Sequence, residues 1–171
     1  MIVINFKNYL SGAQLLDVVK KVEIYYSKAV ISVPLVDLAY IVKNTTLSVW
    51  AQHVDFQEAG KSTGAVVVEH LIGAGAAGSL LNHSEKTMSM PEIKKTVKRA
   101  NEVGLKLVVC ANTLAAVRQL LPLKPYAIAL EDKKLIATGK SIAEYDTALL
   151  MKFVALLKEQ CHIPQCSCLS Q

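Results

Sequence analysis

A few side chains of complementary chemistry stand where short apolar runs end. Asn5 and Lys7 close the run IVINFK. Asn82, His83 and Glu85 follow GSLL, and Glu131 follows PYAIAL. A lysine offers fixed positive charge, a histidine can hydrogen-bond a carbonyl oxygen, and a carboxylate can take a proton from carbon. Gathered around one pocket, the three suit isomerisation of a hydroxycarbonyl compound through an enediolate. Gln52 and His53 close a further run, LSVWAQHV, and a lone histidine there reads as structural.

Those runs must be strands if their ends are to converge. The chain alternates β-branched stretches with segments of helical period. Strands are predicted at IVINF, KAVISV, LSVWAQHV, AGSLL, LKLVVC and PYAIAL. Helices are predicted over SGAQLLDVVKKVEIYY, VDLAYIVKN, VVVEHLIGAG, MPEIKKTVKRANEVG and TLAAVRQLL, with a last one from Tyr145 to Gln160. Pro91 near the start and Gly104 past the end mark the helix that begins at Met90. Asn82 with Glu85 three residues later has capping-box spacing, which would place His83 in the first turn of a short helix. The positive end of that helix would favour a neutral imidazole.

Strict alternation of strand and helix implies an α/β protein with a parallel sheet, whose function lies at the C-terminal strand ends. With no linker or low-complexity segment, residues 1–171 read as one domain. Periodicity leaves an open doubly wound sheet and a closed barrel equally available. The run GAGAAG, 73–78, has dinucleotide-loop glycine spacing but precedes a strand instead of opening a helix. It reads as a helix cap and turn.

Composition narrows the class. Hydrophobic residues make up 52% of the chain and charged ones 19%, which suits a buried core and excludes disorder. The net charge of +5 is dispersed, with no arginine cluster, so a small anionic substrate is expected and a nucleic-acid partner is not. The apolar runs are too short to span a membrane, and MIVINFKNY lacks a signal peptide's basic start. Cys110 sits inside an apolar run, while Cys161, Cys166 and Cys168 crowd the tail with His162 in no standard zinc spacing. A cytoplasmic protein without metal or cofactor is expected.

NFKNY, WAQHVD, STG, NHSEK and a glutamate followed by LIATG occur in that order. Together they resemble the triosephosphate isomerase family, particularly its short archaeal form, over about residues 2–145. The resemblance implies a parallel (β/α) barrel, incomplete here at about six of eight βα units, that interconverts dihydroxyacetone phosphate and glyceraldehyde 3-phosphate. It also implies site roles that are the family's own. Lys7 holds substrate and the developing oxyanion, with Asn5 beside it. His83 is the electrophile, Glu131 the base, and Glu85 the ion-pair partner of Lys7. Gly139, in the lid segment LIATGKS, donates its N–H to phosphate. Thr63 belongs to a loop that reaches a neighbouring subunit, implying a homo-oligomer, dimer or tetramer.

The pattern departs from the family in three places. Asp132-Lys133-Lys134 follow the glutamate where a proline is usual, and Ala137 replaces a glycine. No counterpart of the seventh and eighth strands, with their phosphate-cradling turns, follows. The tail CHIPQCSCLSQ does not match. An impaired isomerase is therefore expected, with a non-catalytic, oligomerising barrel fragment as the alternative.

Overall fold

Parallel strands pair in strict sequence order in the computed structural model, which describes residues 1–131 and 145–160. They are β1 (Val3–Asn5), β2 (Val30–Val33), β3 (Ser48–Ala51), β4 (Gly78–Leu81), β5 (Lys106–Ala111) and β6 (Ala127–Leu130). Between them run α1 (Gly12–Tyr25), α2 (Leu38–Asn44), α3 (Val68–Gly73), α4 (Met90–Val103) and α5 (Leu114–Leu120), the last extended by a 3-10 turn over Leu121–Leu123. Helix α6 (Thr147–Gln160) packs on α5.

This order resolves what periodicity left open. A doubly wound sheet reverses strand order at a switch point, and here the order never reverses. The register is staggered as well. Asn5, last in β1, is level with Ser32, Ser32 with Trp50, Trp50 with Gly78 at the start of β4, and Gly78 with Lys106. Such a slide across neighbouring strands is the shear that curls a sheet toward a barrel. The six strands form a curled part of a (β/α) barrel.

Alternate strand residues divide two cores, as the period of two requires. Ile31, Val49, Leu81, Leu107, Val109 and Ile128 face the helices, where they meet Leu15, Val19, Ile41, Ile93, Val97 and Phe153. Val30, Trp50, Leu80, Val108, Cys110, Ala127 and Ala129 form the inner cluster. Trp50 dominates that inner space, with Tyr126 edge-on at 5.8 Å and its indole N–H donated to Ser48 Oγ at 3.0 Å.

The GAGAAG run is a helix exit, as expected. Gly73 ends α3, and Gly75 takes the left-handed conformation at φ 89°. Gly78 opens β4 against the indole, where a Cβ would meet ring atoms at 2.6 Å. A rigid ring in a packed core cannot yield that distance cheaply. Gly78→Ala should therefore destabilise the fold by about 1–3 kcal/mol, measured as a shifted urea midpoint at unchanged slope.

Helix α4 starts as Pro91 suggested, and the cap is a reciprocal box. Ser89 N donates to Glu92 Oε2 at 2.9 Å, and Glu92 N donates to Ser89 Oγ at 3.4 Å. Gly104 closes the helix at φ 87°.

Glu23 ties α1 to the entry of β3. Its carboxylate pairs with Lys20 and accepts from the Thr46 and Thr45 hydroxyls at 2.6 and 3.0 Å. The Lys20 ammonium, then the Thr46 donors, hold this acid down at about 2. A carboxyl depressed on folding stabilises above its unfolded value near 4.5 and loses that contribution as pH falls through its folded value. Chemical denaturation of wild type and Glu23→Gln between pH 6 and pH 2 should show curves that converge at the acid end. No helix of the described residues is long and apolar enough to cross a membrane.

Candidate functional site

Lys7 sits just beyond β1 at φ 48°, a strained backbone for a side chain with a Cβ. Neighbours hold it there. Its N–H donates to Asn5 Oδ1 at 2.9 Å, and its carbonyl accepts from Gln52 Nε2 at 2.7 Å. The same Gln52 amide reaches Asn5 Oδ1 at 3.3 Å. Lys7 Nζ then meets Glu85 Oε1 at 3.0 Å. The Glu85 carboxylate raises the Lys7 ammonium above its usual range, against a smaller opposing effect of burial. Lys7 is a cation at any physiological pH.

Beyond β4, Asn82 turns the chain at φ 58°, a left-handed geometry that asparagine tolerates. Its amide donates to the Cys110 carbonyl, and its oxygen accepts from Met88 N, both at 2.8 Å. This corrects the expectation of a helix cap. Residues 83–86 form a turn, with Lys86 N donating to His83 O at 2.8 Å, and the next helix begins at Met90 behind Ser89. Among the described residues no helix begins at His83. The Asn-to-Glu spacing misled because Asn82 satisfies tertiary partners instead of the turn that follows it.

A backbone donor orients the imidazole instead. Glu85 N donates to His83 Nδ1 at 3.2 Å, so the proton of a neutral ring lies on Nε2. That atom is buried, 3.4 Å from Glu131 Oε1, and makes no hydrogen bond among the described residues. Glu131, at the end of β6, is buried too, and its Oε2 accepts from Ser84 N at 3.0 Å. Beneath it lies Cys110, whose thiol is pushed well up by burial and then by the neighbouring Glu131 charge.

Lys7, His83 and Glu85, from strand ends 78 residues apart in sequence, thus line one cavity of about 340 Å³ with Asn5, Asn8, Leu35, Gln52, His53, Val66 and Lys86. Glu131 abuts it through His83. The set offers a cation on the cavity wall and, buried behind His83, a ring N–H beside a carboxylate that could act as a base. Thr63 lies exposed in a turn and does not line the cavity. Gly139, the segment 135–141, Asp132 to Lys134 and the cysteines of the tail lie outside the described residues. Among the described residues, no three His, Cys, Asp or Glu side chains are grouped to hold a metal ion.

Two contributors escaped the sequence reading. Gln52 was visible at a strand end, but nothing local shows that it clamps a carbonyl 45 residues earlier. The Ser84 N–H carries no side-chain signal at all.

Comparison with known proteins agrees with this arrangement. Residues 1–166 match the family described as triosephosphate isomerase. The chain is 37% identical to the triosephosphate isomerase of Metallosphaera sedula over 150 residues, covering 84% of this chain and 66% of that protein. It is 36% identical to that of Sulfurisphaera tokodaii over 165 residues, covering 93% and 72%. Against that of Methanothermus fervidus it is 35% identical over 164 residues, covering 92% and 74%. The matched region thus spans about two thirds to three quarters of these relatives. Strand order, the residues at the strand ends and these matches together place the chain in the triosephosphate isomerase family.

Proposed function

We propose that this chain carries the catalytic half of a triosephosphate isomerase site, acting on dihydroxyacetone phosphate and D-glyceraldehyde 3-phosphate without a cofactor. The observation that carries the reading is the buried His83 Nε2 beside Glu131 Oε1 at 3.4 Å, next to a cavity walled by Lys7. In this reading a substrate carbonyl oxygen takes the imidazole N–H, and Glu131 leaves the Ser84 amide to remove the proton from C1. The enediolate charge is stabilised by His83 and Lys7, and Glu131 returns the proton to C2. Asn5 and Glu85 hold Lys7 in place, and Gly139 donates to the phosphate. The enzyme works in the cytoplasm as a homo-oligomer whose Thr63 loop meets a second subunit.

The test is a coupled isomerase assay on purified protein, with 2-phosphoglycolate titrated in a thermal-shift experiment. Saturable stabilisation and turnover are expected. Absence of both refutes the reading.

A second reading has one observation behind it. Among the described residues β1 and β6 lie at opposite edges of the sheet, so the barrel is open on that side. Open edges favour pairing with another chain. In this reading the chain is catalytically inactive and serves only as an oligomerising module. Ordinary turnover in the same assay excludes it.

A further inference from the structure

Two neighbouring carbonyls at the end of β5 carry the two halves of the His83–Glu131 pair. The Cys110 carbonyl accepts from the Asn82 amide, and the Ala111 carbonyl accepts from the Glu131 N–H, both at 2.8 Å. Asn82 stands one residue before His83, so imidazole and carboxylate hang from one frame. The other end of the Asn82 side chain closes a ring. Its Oδ1 accepts from Met88 N at 2.8 Å, six residues on. Met88 packs against the outer core, which anchors the far side of that ring. The ring contains the His83 imidazole and the Ser84 N–H on which Glu131 rests. It also contains the Glu85 N–H that assigns the His83 proton and the Glu85 carboxylate that pairs with Lys7.

We propose that Asn82 is a positioning residue. By closing the 83–88 ring and tying it to β5, it holds His83 in one tautomer and at a fixed place beside Glu131. The catalytic meaning of that placement rests on the proposed function; the clasp itself does not. Position 82 has a second requirement, a left-handed backbone at φ 58°. Glycine meets that requirement as readily as asparagine but has no amide, so substitution separates the two. Without the amide, the Cys110 carbonyl and the Met88 N–H lose their partners, and the ring shifts against β5. The Glu85 N–H then moves away from Nδ1, and the bond that selects Nε2 for the proton weakens.

Asn82→Gly keeps the backbone and removes the clasp. It should lower kcat about 10- to 100-fold, the scale of a small misplacement of reacting groups. KM should change far less, because Lys7 is held separately by Asn5 and Gln52. Asn82→Asp keeps the acceptor for Met88 N but cannot donate to the Cys110 carbonyl. It is the second variant should the glycine not fold, and it should lose about tenfold in kcat, the worth of one buried hydrogen bond left unmade. NMR of the imidazole nitrogens in the ligand-free protein supplies a readout that a purely structural residue would not move, with His83→Gln identifying the signal. Wild type should show His83 with its proton on Nε2 alone, and both Asn82 variants should show a mixture of the two tautomers. A wild-type imidazole spectrum in the folded variants would overturn the clasp. Mixed tautomers with wild-type kcat would overturn the positioning role. A wild-type protein without isomerase turnover refutes the proposed function, while the ligand-free spectra still decide the clasp.

Discussion

Glu131→Gln should lower isomerase turnover by about 10²–10⁴-fold, the usual worth of a positioned general base, with little change in the thermal midpoint. The substitution keeps shape and an oxygen for the Ser84 N–H. It removes the capacity to take a proton. It also removes a buried negative charge from beside Cys110 and His83. KM should move far less than kcat, because the amide still fills the site. A glutamine variant with more than a tenth of wild-type kcat would show that another group is the base. Loss of activity together with loss of folding would instead make Glu131 a structural residue.

Lys7→Met should cost about 10²–10³-fold in kcat/KM, comparable to losing one preorganised donor to a developing oxyanion, and much of it should appear in KM. Methionine keeps the aliphatic stem but leaves the Glu85 carboxylate without its cation, 3.0 Å from where the ammonium stood. That carboxylate would then repel an anionic substrate. Glu85→Gln separates the two effects. It keeps the lysine and removes what raises its pKa, so the alkaline limb of kcat/KM should move to lower pH than in wild type. For stability the sign is that of a raised lysine: the pair contributes below pH 10.5 and loses its contribution as pH rises through the higher folded value. That contribution is small, since Glu85 is half exposed. An alkaline limb that does not move on Glu85→Gln would remove Lys7 from the reaction.

Much of this site was legible because its parts are written locally. Each of Asn5, Lys7, Asn82, His83, Glu85 and Glu131 closes or follows an apolar run, and a strand's end is a short-range signal. The glycines of GAGAAG were read correctly as an exit because a strand, not a helix, follows them. The histidine's environment was misread for the same local reason. A capping-box spacing is common, and only the bonds from Asn82 to Cys110 and Met88 show that this asparagine serves the barrel instead of a helix.

The sequence by itself determined the succession of strands and helices and which side chains stand at strand ends, because both follow from periodicity and turn chemistry within a few residues. Tertiary structure decided the rest: the unreversed strand order that curls the sheet, the Glu85 amide that assigns the His83 proton, and Gln52 holding a strained Lys7. It also decided that Glu131 rests on the Ser84 amide 47 residues before it. These depend on pairings across the barrel or on backbone groups common to every residue. Chemistry of that kind exists only once the chain has folded.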